Sequence, residues 1–476
     1  MKALLWLITC LLCGVWITQP IADPDLFWHL NIGNWITSHG MLPASDLWVS
    51  EGGAHIFRAY SWLFECVLSW TYKIGGFKGV IISEVILGTG LVTLFSYVFS
   101  KLSKNYFSGI LLGMFGAGAV VAHFSFRPQT FTWGLFVLVL YICNRSCAFS
   151  VRQKYLSLFF IMALWANLHI STVLGLFAVL FLFEGSKNQK IFASVSSFLG
   201  TFFTPYLGGE WLTFIEKVSH PADFSIIDEF KAARFIDVPS ILLILSLSLL
   251  LAIIIEKRRL ISKEKILVGI LLIGLGVTVV KFIPFACLYV LFLTSENMDN
   301  STGVFSEGFS RLYLLFEKYL SGQGLAVVLL ALMYLKLTPL METPIQKNIF
   351  PEEEMNFFKE KNLPLPLLSG FNEGGYVSFM NSNSKGEPNF RVTMDGRTNL
   401  ISKELWSDFV SALKGDRDYF KLVERTNPQT VLWKSDSAFV QLLKKNGFCE
   451  VMNKKYSVLV REEVAKALNF SEKCIP

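Results

Sequence analysis

The chain has 476 residues, of which 53% are hydrophobic and only 17% are charged. This composition is too apolar and too weakly charged for a soluble protein of this length, so it predicts a polytopic membrane protein. The formal net charge of +6 does not indicate nucleic-acid binding, because most Lys and Arg residues lie in short clusters between apolar segments, as the positive-inside rule describes.

The N-terminus, residues 1–16, carries one lysine and a short apolar segment, which is also a feature of cleaved signal peptides. A cleavage site requires small residues, whereas the bulky Ile17, Gln19 and Pro20 follow here. We therefore favour an uncleaved first span with a cytoplasmic N-terminus over a cleaved leader.

About eleven apolar segments are long enough to cross, or nearly cross, a hydrocarbon core of roughly 30 Å. They lie near residues 3–21, 77–100, 106–126, 130–145, 155–169, 171–184, 191–205, 239–255, 266–281, 283–295 and 323–339. Alternate connections carry clusters of positive charge, which places those connections in the cytoplasm. The clusters are Lys101 and Lys104; Arg145, Arg152 and Lys154; Lys187 and Lys190; and Lys257, Arg258, Arg259, Lys263 and Lys265.

This orientation requires residues 60–76, YSWLFECVLSWTYKIGG, to lie along the outer surface of the membrane. Their apolar core of roughly thirteen residues is short for a span, and Trp62, Trp70 and Tyr72 are typical of a membrane interface. If the segment crossed the membrane instead, all later clusters would change sides.

From about Asn348 the sequence is mixed and polar, which predicts a transmembrane domain at 1–340 and a small α/β domain at 341–476. Helices are predicted at PEEEMNFFKEKNLP, SKELWSDFVSALKG and SAFVQLLKKNG, and strands at GGYVSFM, FRVTMDGR, TVLWKS and YSVLVREE. An odd number of spans places this domain outside the cytoplasm. There, a disulfide between Cys449 and Cys474 is chemically allowed.

The first outward connection contains the stretch IADPDLFWHLNIGNW. Asp23 is suited to cap a helix, with Pro24 at its first position, Asp25 in its first turn and Gly40 at its end. That arrangement would explain both acids without any chemistry. However, Asp25 and His29 are four residues apart and share a helix face, so the loop is also a candidate catalytic site.

Polar side chains also mark the outer ends of several predicted spans. HFSFRPQTFTW contains His123 and Arg127, WANLHIST contains Asn167 and His169, and VVKFIPF contains Lys281. Ionisable groups in or beside spans are costly, so they indicate function or pairing with one another. Together they predict one outward-facing cavity. No close His/Asp cluster has the ligand spacing of a zinc site.

The tail contains the conspicuous stretches FNEGGYVSF and TMDGRTNL. Asp395 and Gly396 are typical of a turn, and we expect Arg397 to pair with Asp395 or Glu373. The glycine pair of FNEGGYVSF would allow close backbone approach but is not a phosphate-binding loop. Structure explains these residues better than ligand binding does, and the tail is expected to recognise the acceptor or a partner.

An N-terminal span, an acidic outward loop, surface helices and then many spans resemble the GT-C superfamily of glycosyltransferases, which use polyprenyl-phosphate-linked sugars. More closely, the chain resembles a group of bacterial membrane proteins. That likeness is carried by DPDLFWHLNIGNWITSHGMLPASD, WLFECVLSWTYKIGG, RPQTFTW, NLH, TPYLGG, FNEGGYVSF and MDGR, and it covers most of the chain.

The resemblance implies an inverting transfer of a sugar from a polyprenyl phosphate to an unidentified glycan, lipid or protein acceptor, at the outer face of a bacterial inner membrane. The family's loop carboxylate maps onto Asp23 or Asp25, as a general base or as a ligand of a divalent cation. His29 completes the candidate catalytic set. Cationic groups would bind the lipid phosphate. The candidate substrate-binding residues are Arg58, Arg127, His169 and Lys281.

The sequence departs from the family pattern in the next outward loop, where Arg127 stands and a second acidic motif is missing. The later loop could supply that motif through Asp223, Asp228 or Glu229. A transporter or lipid flippase is one alternative, but such proteins have internal repeats and polar mid-membrane helices, and here Glu84 is the main polar exception. A non-catalytic scaffold that presents the C-terminal domain is another.

Overall fold

The structure is a computed structural model that describes residues 2–51, 56–219, 226–258, 260–298, 323–470, 472 and 474. It divides into two compact units. The membrane unit comprises Met1–Ile21, Ile74–Glu210 and Asp223–Pro344, and the loop-and-tail unit comprises Ala22–Lys73, Trp211–Ala222 and Ile345–Pro476. The segment Ala22–Lys73, which contains the connection predicted to face outward and is called the first outward connection below, therefore folds with the C-terminal tail. The division predicted at residue 340 stays a prediction.

The described chain is mainly helical. In chain order its helices are α1 (Lys2–Ile17), α2 (Asp25–His39), α3 (Trp62–Ser103), α4 (Tyr106–Val121), α5 (Pro128–Cys143), α6 (Val151–Leu168), α7 (Thr172–Leu182), α8 (Lys187–Gly200), α9 (Gly209–Ser219), α10 (Val238–Lys257), α11 (Lys263–Thr278), α12 (Ile283–Asn297), α13 (Gln323–Glu342), α14 (Glu352–Glu360), α15 (Phe371–Asn381), α16 (Lys403–Lys414), α17 (Phe420–Thr426), α18 (Ala438–Lys444) and α19 (Glu462–Ala467). Each of the predicted spans coincides with one of these helices.

Among the described residues, four helical segments have both the length and the apolar composition to cross a membrane. They are Trp62–Ser103, Val238–Lys257, Val280–Asn297 and Leu325–Glu342. Shorter apolar helices are Trp6–Ile17, Tyr106–Val121, Pro128–Cys143 and Thr172–Leu182. The number of spans and their orientation stay predictions, and Arg259 of the last basic cluster lies outside the described residues.

Local sequence signals fix several helix ends in the membrane unit. Ser150 and Ser186 each form a capping box with a glutamine three residues later, and the Asn105 side chain accepts the Ser108 N–H. Within α3, Gly76 has the non-helical dihedral angles φ 58° and ψ −149°, which glycine tolerates best. This break coincides with the predicted boundary between the surface segment at 60–76 and the span at 77–100.

Small residues let the apolar helices of the membrane unit approach closely. A Cβ added to Gly113 of α4 would lie 2.1 Å from Ser96 Oγ and 2.7 Å from Ser96 N in α3. Gly109 meets Ser100 in the same way one turn earlier, and Gly14 of α1 meets Thr89 of α3. Lipid supplies no hydrophobic driving force between helices, so this close packing contributes to their association.

A half-buried ion-pair network also ties helices of the membrane unit together. Lys265 Nζ lies 2.8 Å from Glu184 Oε1 and 2.5 Å from Glu296 Oε1, and Asn144 Nδ2 donates to Glu296 at 2.9 Å. These residues come from α11, α12 and the segments that follow α5 and α7. The positive-inside prediction puts this network at the cytoplasmic ends of the helices.

The C-terminal part of the loop-and-tail unit contains a four-stranded sheet. Its strands are β1 (Leu367–Ser369), β2 (Thr430–Lys434), β3 (Phe448–Asn453) and β4 (Tyr456–Arg461). The strand order is β1-β2-β4-β3, with β1 parallel to β2 and the other pairs antiparallel. The predicted strands at TVLWKS and YSVLVREE and the three predicted helices are confirmed, as is the disulfide between Cys449 and Cys474.

Two predicted strands of the tail are wrong. GGYVSFM lies in helix α15, and FRVTMDGR forms only a single parallel bridge, between Val392 and Val49 of the first outward connection. The glycines serve close packing: a Cβ on Gly374 would lie 1.8 Å from the Met394 carbonyl oxygen, and one on Gly375 would lie 2.9 Å from the Pro24 carbonyl oxygen. Tertiary contact therefore overrides the local strand propensity.

Gly113→Ala should lower the free energy of unfolding by about 1–3 kcal/mol, because the new methyl group overpacks the α3–α4 contact against backbone atoms. Gly90→Ala is the matched control: a Cβ there meets nothing within 4 Å, so stability should stay the same or rise slightly. Thermal unfolding of both purified variants in detergent tests this. Equal midpoints for the two variants would contradict the packing account.

Candidate functional site

Asp23 caps helix α2, as the sequence predicts. Its Oδ1 accepts a hydrogen bond from the Asp25 backbone N–H at 3.0 Å, and Pro24 already has helical dihedral angles of φ −66° and ψ −24°. At the other end of the helix, Gly40 adopts the left-handed conformation at φ 68°, and its N–H bonds to Ile36 O. The structural explanation for Asp23 is therefore correct.

Asp25 lies against the MDGR stretch of the tail. Its Oδ1 accepts a hydrogen bond from Trp28 Nε1 at 3.0 Å. A Cβ added to Gly396 would lie 2.0 Å from the same oxygen and 3.2 Å from Trp28 Nε1. Any side chain at position 396 would displace the carboxylate, so the tail's backbone forms one wall around this half-buried acid.

His29 is buried, and its Nδ1 lies 3.0 Å from Glu65 Oε1 of α3. A carboxylate that contacts this imidazole is thus Glu65, which the four-residue spacing of Asp25 and His29 did not indicate. The role predicted for Asp25 beside His29 stays a prediction. Burial raises the pKa of Glu65 above its usual range, with Arg397 acting in the opposite direction. In the sequence, the one indication of a role for Glu65 was its position as the single acid in the apolar stretch WLFECVLSW.

A buried arginine joins the tail to the first outward connection. Arg397 Nε lies 3.0 Å from Asp395 Oδ1 and Nη2 lies 2.6 Å from Asp395 Oδ2, while Nη1 bonds to Asp46 Oδ2. Asp46 Oδ1 in turn accepts the backbone N–H groups of Trp48 and Val49 at 3.0 and 2.7 Å. Burial alone would lower the pKa of Arg397, but the two aspartates raise it. Asp395, one of the two partners predicted for Arg397, is thus paired with it, and Asp46 is a second partner that was not predicted.

Arg58 and Tyr60 contact helix α9, whose residues from Trp211 onward also belong to the loop-and-tail unit. Arg58 Nη1 donates to Thr213 Oγ1 at 3.2 Å and pairs with Glu216 Oε1 at 3.3 Å. Lys217 Nζ donates to the Tyr60 hydroxyl at 2.6 Å. Burial raises the pKa of Tyr60, and the nearby carboxylates of Glu65 and Asp25 raise it further. Arg58, a predicted phosphate ligand, is thus ion-paired here.

Arg127 and Lys281 gather around one carboxylate in the membrane unit. Arg127 Nη1 lies 3.1 Å from Glu229 Oε2, and Lys281 Nζ lies 3.3 Å from the centre of the Phe230 ring. Burial would raise the pKa of Glu229, but Arg127, Lys281 and His123 together hold it below its usual range. Glu229 is therefore an ionised partner of both cations.

Of the two described acids proposed for a second acidic motif, Glu229 joins this cluster. Asp228 is exposed and pairs with Lys231 at 2.6 Å, and Asp223 lies outside the described residues. His169 follows α6, where its Nδ1 lies 2.8 Å from Ser171 Oγ and accepts the Ser171 N–H. Asn167 Nδ2 donates to Ala163 O and Phe203 O. These hydrogen bonds join His169 to Ser171 and Asn167 to two backbone carbonyl groups.

The predicted site residues thus fall into two groups. Asp23, Asp25, His29 and Arg58 belong to the loop-and-tail unit, whereas Arg127, His169 and Lys281 belong to the membrane unit. In the part of the chain that the structure describes, no group of three or more His, Cys, Asp or Glu residues is arranged to hold a metal ion. The divalent cation stays a prediction.

The fold of the chain is similar to those of two solved proteins, as expected from the resemblance seen in the sequence, and at this level of identity the likeness concerns the fold alone. The archaeal oligosaccharyltransferase AglB from Archaeoglobus fulgidus, solved with an inhibitory peptide and a dolichol phosphate, aligns over 96% of this chain and 74% of its own, with a TM-score of 0.57 and 8% identity. ArnT from Cupriavidus metallidurans, bound to undecaprenyl phosphate, aligns over 96% of this chain and 97% of its own, with a TM-score of 0.53 and 12% identity. No protein-family model matches the sequence, and no curated protein is similar to it in sequence.

Arg397→Met should lower the free energy of unfolding by about 3–5 kcal/mol, because it leaves Asp46 and Asp395 buried without their cation. Arg391→Met, six residues earlier at an exposed position, is the matched control and should leave stability unchanged. Denaturant unfolding followed by tryptophan fluorescence measures both. If Arg397→Met unfolds like the control, the arginine does not hold this unit together.

Proposed function

We propose that the protein is a membrane glycosyltransferase that moves a sugar from a polyprenyl-phosphate donor to an acceptor at the outer face of a bacterial inner membrane. The observation that carries the proposal is the alignment of nearly the whole chain with ArnT bound to undecaprenyl phosphate, over nearly all of that protein. At 12% identity this likeness concerns the fold. The roles of individual residues therefore rest on their own geometry and chemistry.

Asp25 is the best candidate for the general base. It lies in the first turn of α2, where the helix dipole favours the ionised carboxylate, and the Trp28 indole fixes its orientation. In an inverting transfer, the acceptor nucleophile forms a bond to the anomeric carbon and loses its proton to Asp25. The bond from that carbon to the phosphate oxygen breaks, and the polyprenyl phosphate leaves with the electron pair. Asp23 serves α2 as its cap.

Arg127 and Lys281 are the candidates for binding the lipid phosphate. Two cations and one carboxylate, Glu229, give this cluster a net charge of +1, so it attracts an anion. Glu229 keeps the two cationic side chains together, and the phosphate would compete with it for Arg127. A divalent cation remains an expectation, and no step proposed here involves one.

A non-catalytic scaffold is the second candidate, and specific contacts favour it. Arg58 is paired with Glu216 and Arg127 with Glu229, so these two predicted substrate-binding residues already have carboxylate partners. Asp23 is engaged as a cap. In this second view, Asp25 and the MDGR turn only hold the first connection against the tail.

Asp25→Asn should lower glycosyl transfer by about 100-fold or more, because the amide cannot accept the acceptor's proton. Asp23→Asn is the matched control, and it should keep most of the activity because asparagine caps helices as well as aspartate does. The measurement is transfer of label from a panel of polyprenyl-phosphate sugars to acceptors in a membrane extract. Transfer that survives Asp25→Asn intact would favour the scaffold.

Lys281→Met should weaken the binding of undecaprenyl phosphate by about 10-fold or more, because a charge-assisted contact to the phosphate is lost. Lys231→Met removes an exposed lysine of the same unit that is paired with Asp228, and should leave the affinity unchanged. Binding of undecaprenyl phosphate to the purified protein can be measured by native mass spectrometry. Equal affinities for both variants would remove Lys281 from the proposed site.

A further inference from the structure

We propose that helix α9 is an interfacial helix whose outer face binds the surface of the lipid bilayer. Three apolar side chains of α9 point away from the protein: Leu212 is 53% exposed, Ile215 is 55% exposed and Val218 is 70% exposed. They lie three residues apart, so they share one side of the helix. This surface is called the outer face of α9 below.

On another side of the helix, Thr213 and Lys217 contact the protein, whereas the polar residues Glu216 and Ser219 are exposed. Thr213 is buried and accepts a hydrogen bond from Arg58, and Glu216 forms an ion pair with the same guanidinium group. Lys217 Nζ donates to the Tyr60 hydroxyl and lies 4.4 Å from the centre of that ring. The inner face of α9 is therefore held by polar bonds to the segment that precedes α3.

A surface helix of a soluble protein packs its apolar side inward and leaves its polar side to water, whereas α9 exposes the three apolar side chains of its outer face. A contiguous exposed apolar surface requires an apolar cover. The boundary between lipid headgroups and acyl chains provides one, because a helix lying in that boundary buries its apolar side in the bilayer.

Lipid is the occupant that the surrounding chain favours. The segment that leads from α8 into α9 also exposes large apolar side chains, at Phe203 and Leu207. The next helix, α10, exposes Leu251 and Ile255 along a segment that has the length and composition of a membrane span. In the sequence, α9 is thus flanked on both sides by segments that expose large apolar side chains.

The placement of α9 has a consequence for the candidate catalytic loop. Arg58 and Tyr60 stand just before α3, where the Glu65 N–H donates to Ser61 O in the first turn. Glu65 in turn bonds to His29. Through its inner face, α9 therefore connects a lipid contact to the segment that positions the His29–Glu65 pair. The lipid contact itself does not depend on glycosyl transfer.

A photocrosslinking experiment tests the proposal. p-Benzoylphenylalanine replaces Ile215 in the full-length protein, which is reconstituted into vesicles of phosphatidylethanolamine and phosphatidylglycerol, irradiated and analysed by intact mass spectrometry. Position 215 should gain the mass of a phospholipid. The same substitution at Leu251 of α10 is the positive control, and at Leu413, an exposed apolar residue of α16, it is the negative control.

The proposal is overturned if position 251 yields phospholipid adducts and position 215 yields none, or if position 215 crosslinks to a second protein chain instead of lipid. If the variant at position 215 fails to fold, Val218 provides a second site on the same face with the same expected adduct. Because the readout is lipid contact, a protein without transferase activity would still give a clear result.

Discussion

A buried arginine joins two distant parts of the chain, and the loop-and-tail unit depends on it. Arg397 places its guanidinium group between Asp395 of the tail and Asp46 of the first outward connection, under the rings of Trp28 and Trp48. A planar fork with several donors is suited to two carboxylates at once, which a lysine could not bind in the same way. Once these charges are paired, neither segment can leave without exposing a buried ion.

Close backbone contacts reinforce that joint. Gly375 and Gly396 bring the tail against the start of α2, while Asn31 Nδ2 donates to Ser378 Oγ at 3.0 Å and Trp48 Nε1 donates to Gly386 O at 2.9 Å. The candidate catalytic acid, Asp25, lies within this joint and not in an isolated loop. The tail therefore acts as the support that sets the position of Asp25, which is a more direct role than the acceptor recognition expected from the sequence.

Local features of the fold were predictable from the sequence because they depend on neighbouring residues. Apolar segments marked the helices, Asp23 and Gly40 marked the ends of α2, and the cysteines of the tail marked the disulfide. Features that depend on distant residues were not predictable. Asp46 and Arg397 are 351 positions apart, and no periodicity connects Glu65 with His29. The glycines of FNEGGYVSF indicated close packing. The sequence did not indicate that they lie in helix α15, or that they pack against Pro24 and Met394.

In the membrane unit, Arg127 and Lys281, which are expected to bind a lipid phosphate, lie around Glu229. The proposed glycosyltransferase function therefore depends on whether a lipid phosphate can replace Glu229 as the partner of these cations. The most direct test is a cryo-electron microscopy structure of the protein in nanodiscs with undecaprenyl phosphate. The account predicts the phosphate within hydrogen-bond distance of Arg127 and Lys281, with the ion pair from Arg127 to Glu229 lengthened or broken. A lipid phosphate bound elsewhere, with that ion pair intact, would contradict the glycosyltransferase assignment of these residues.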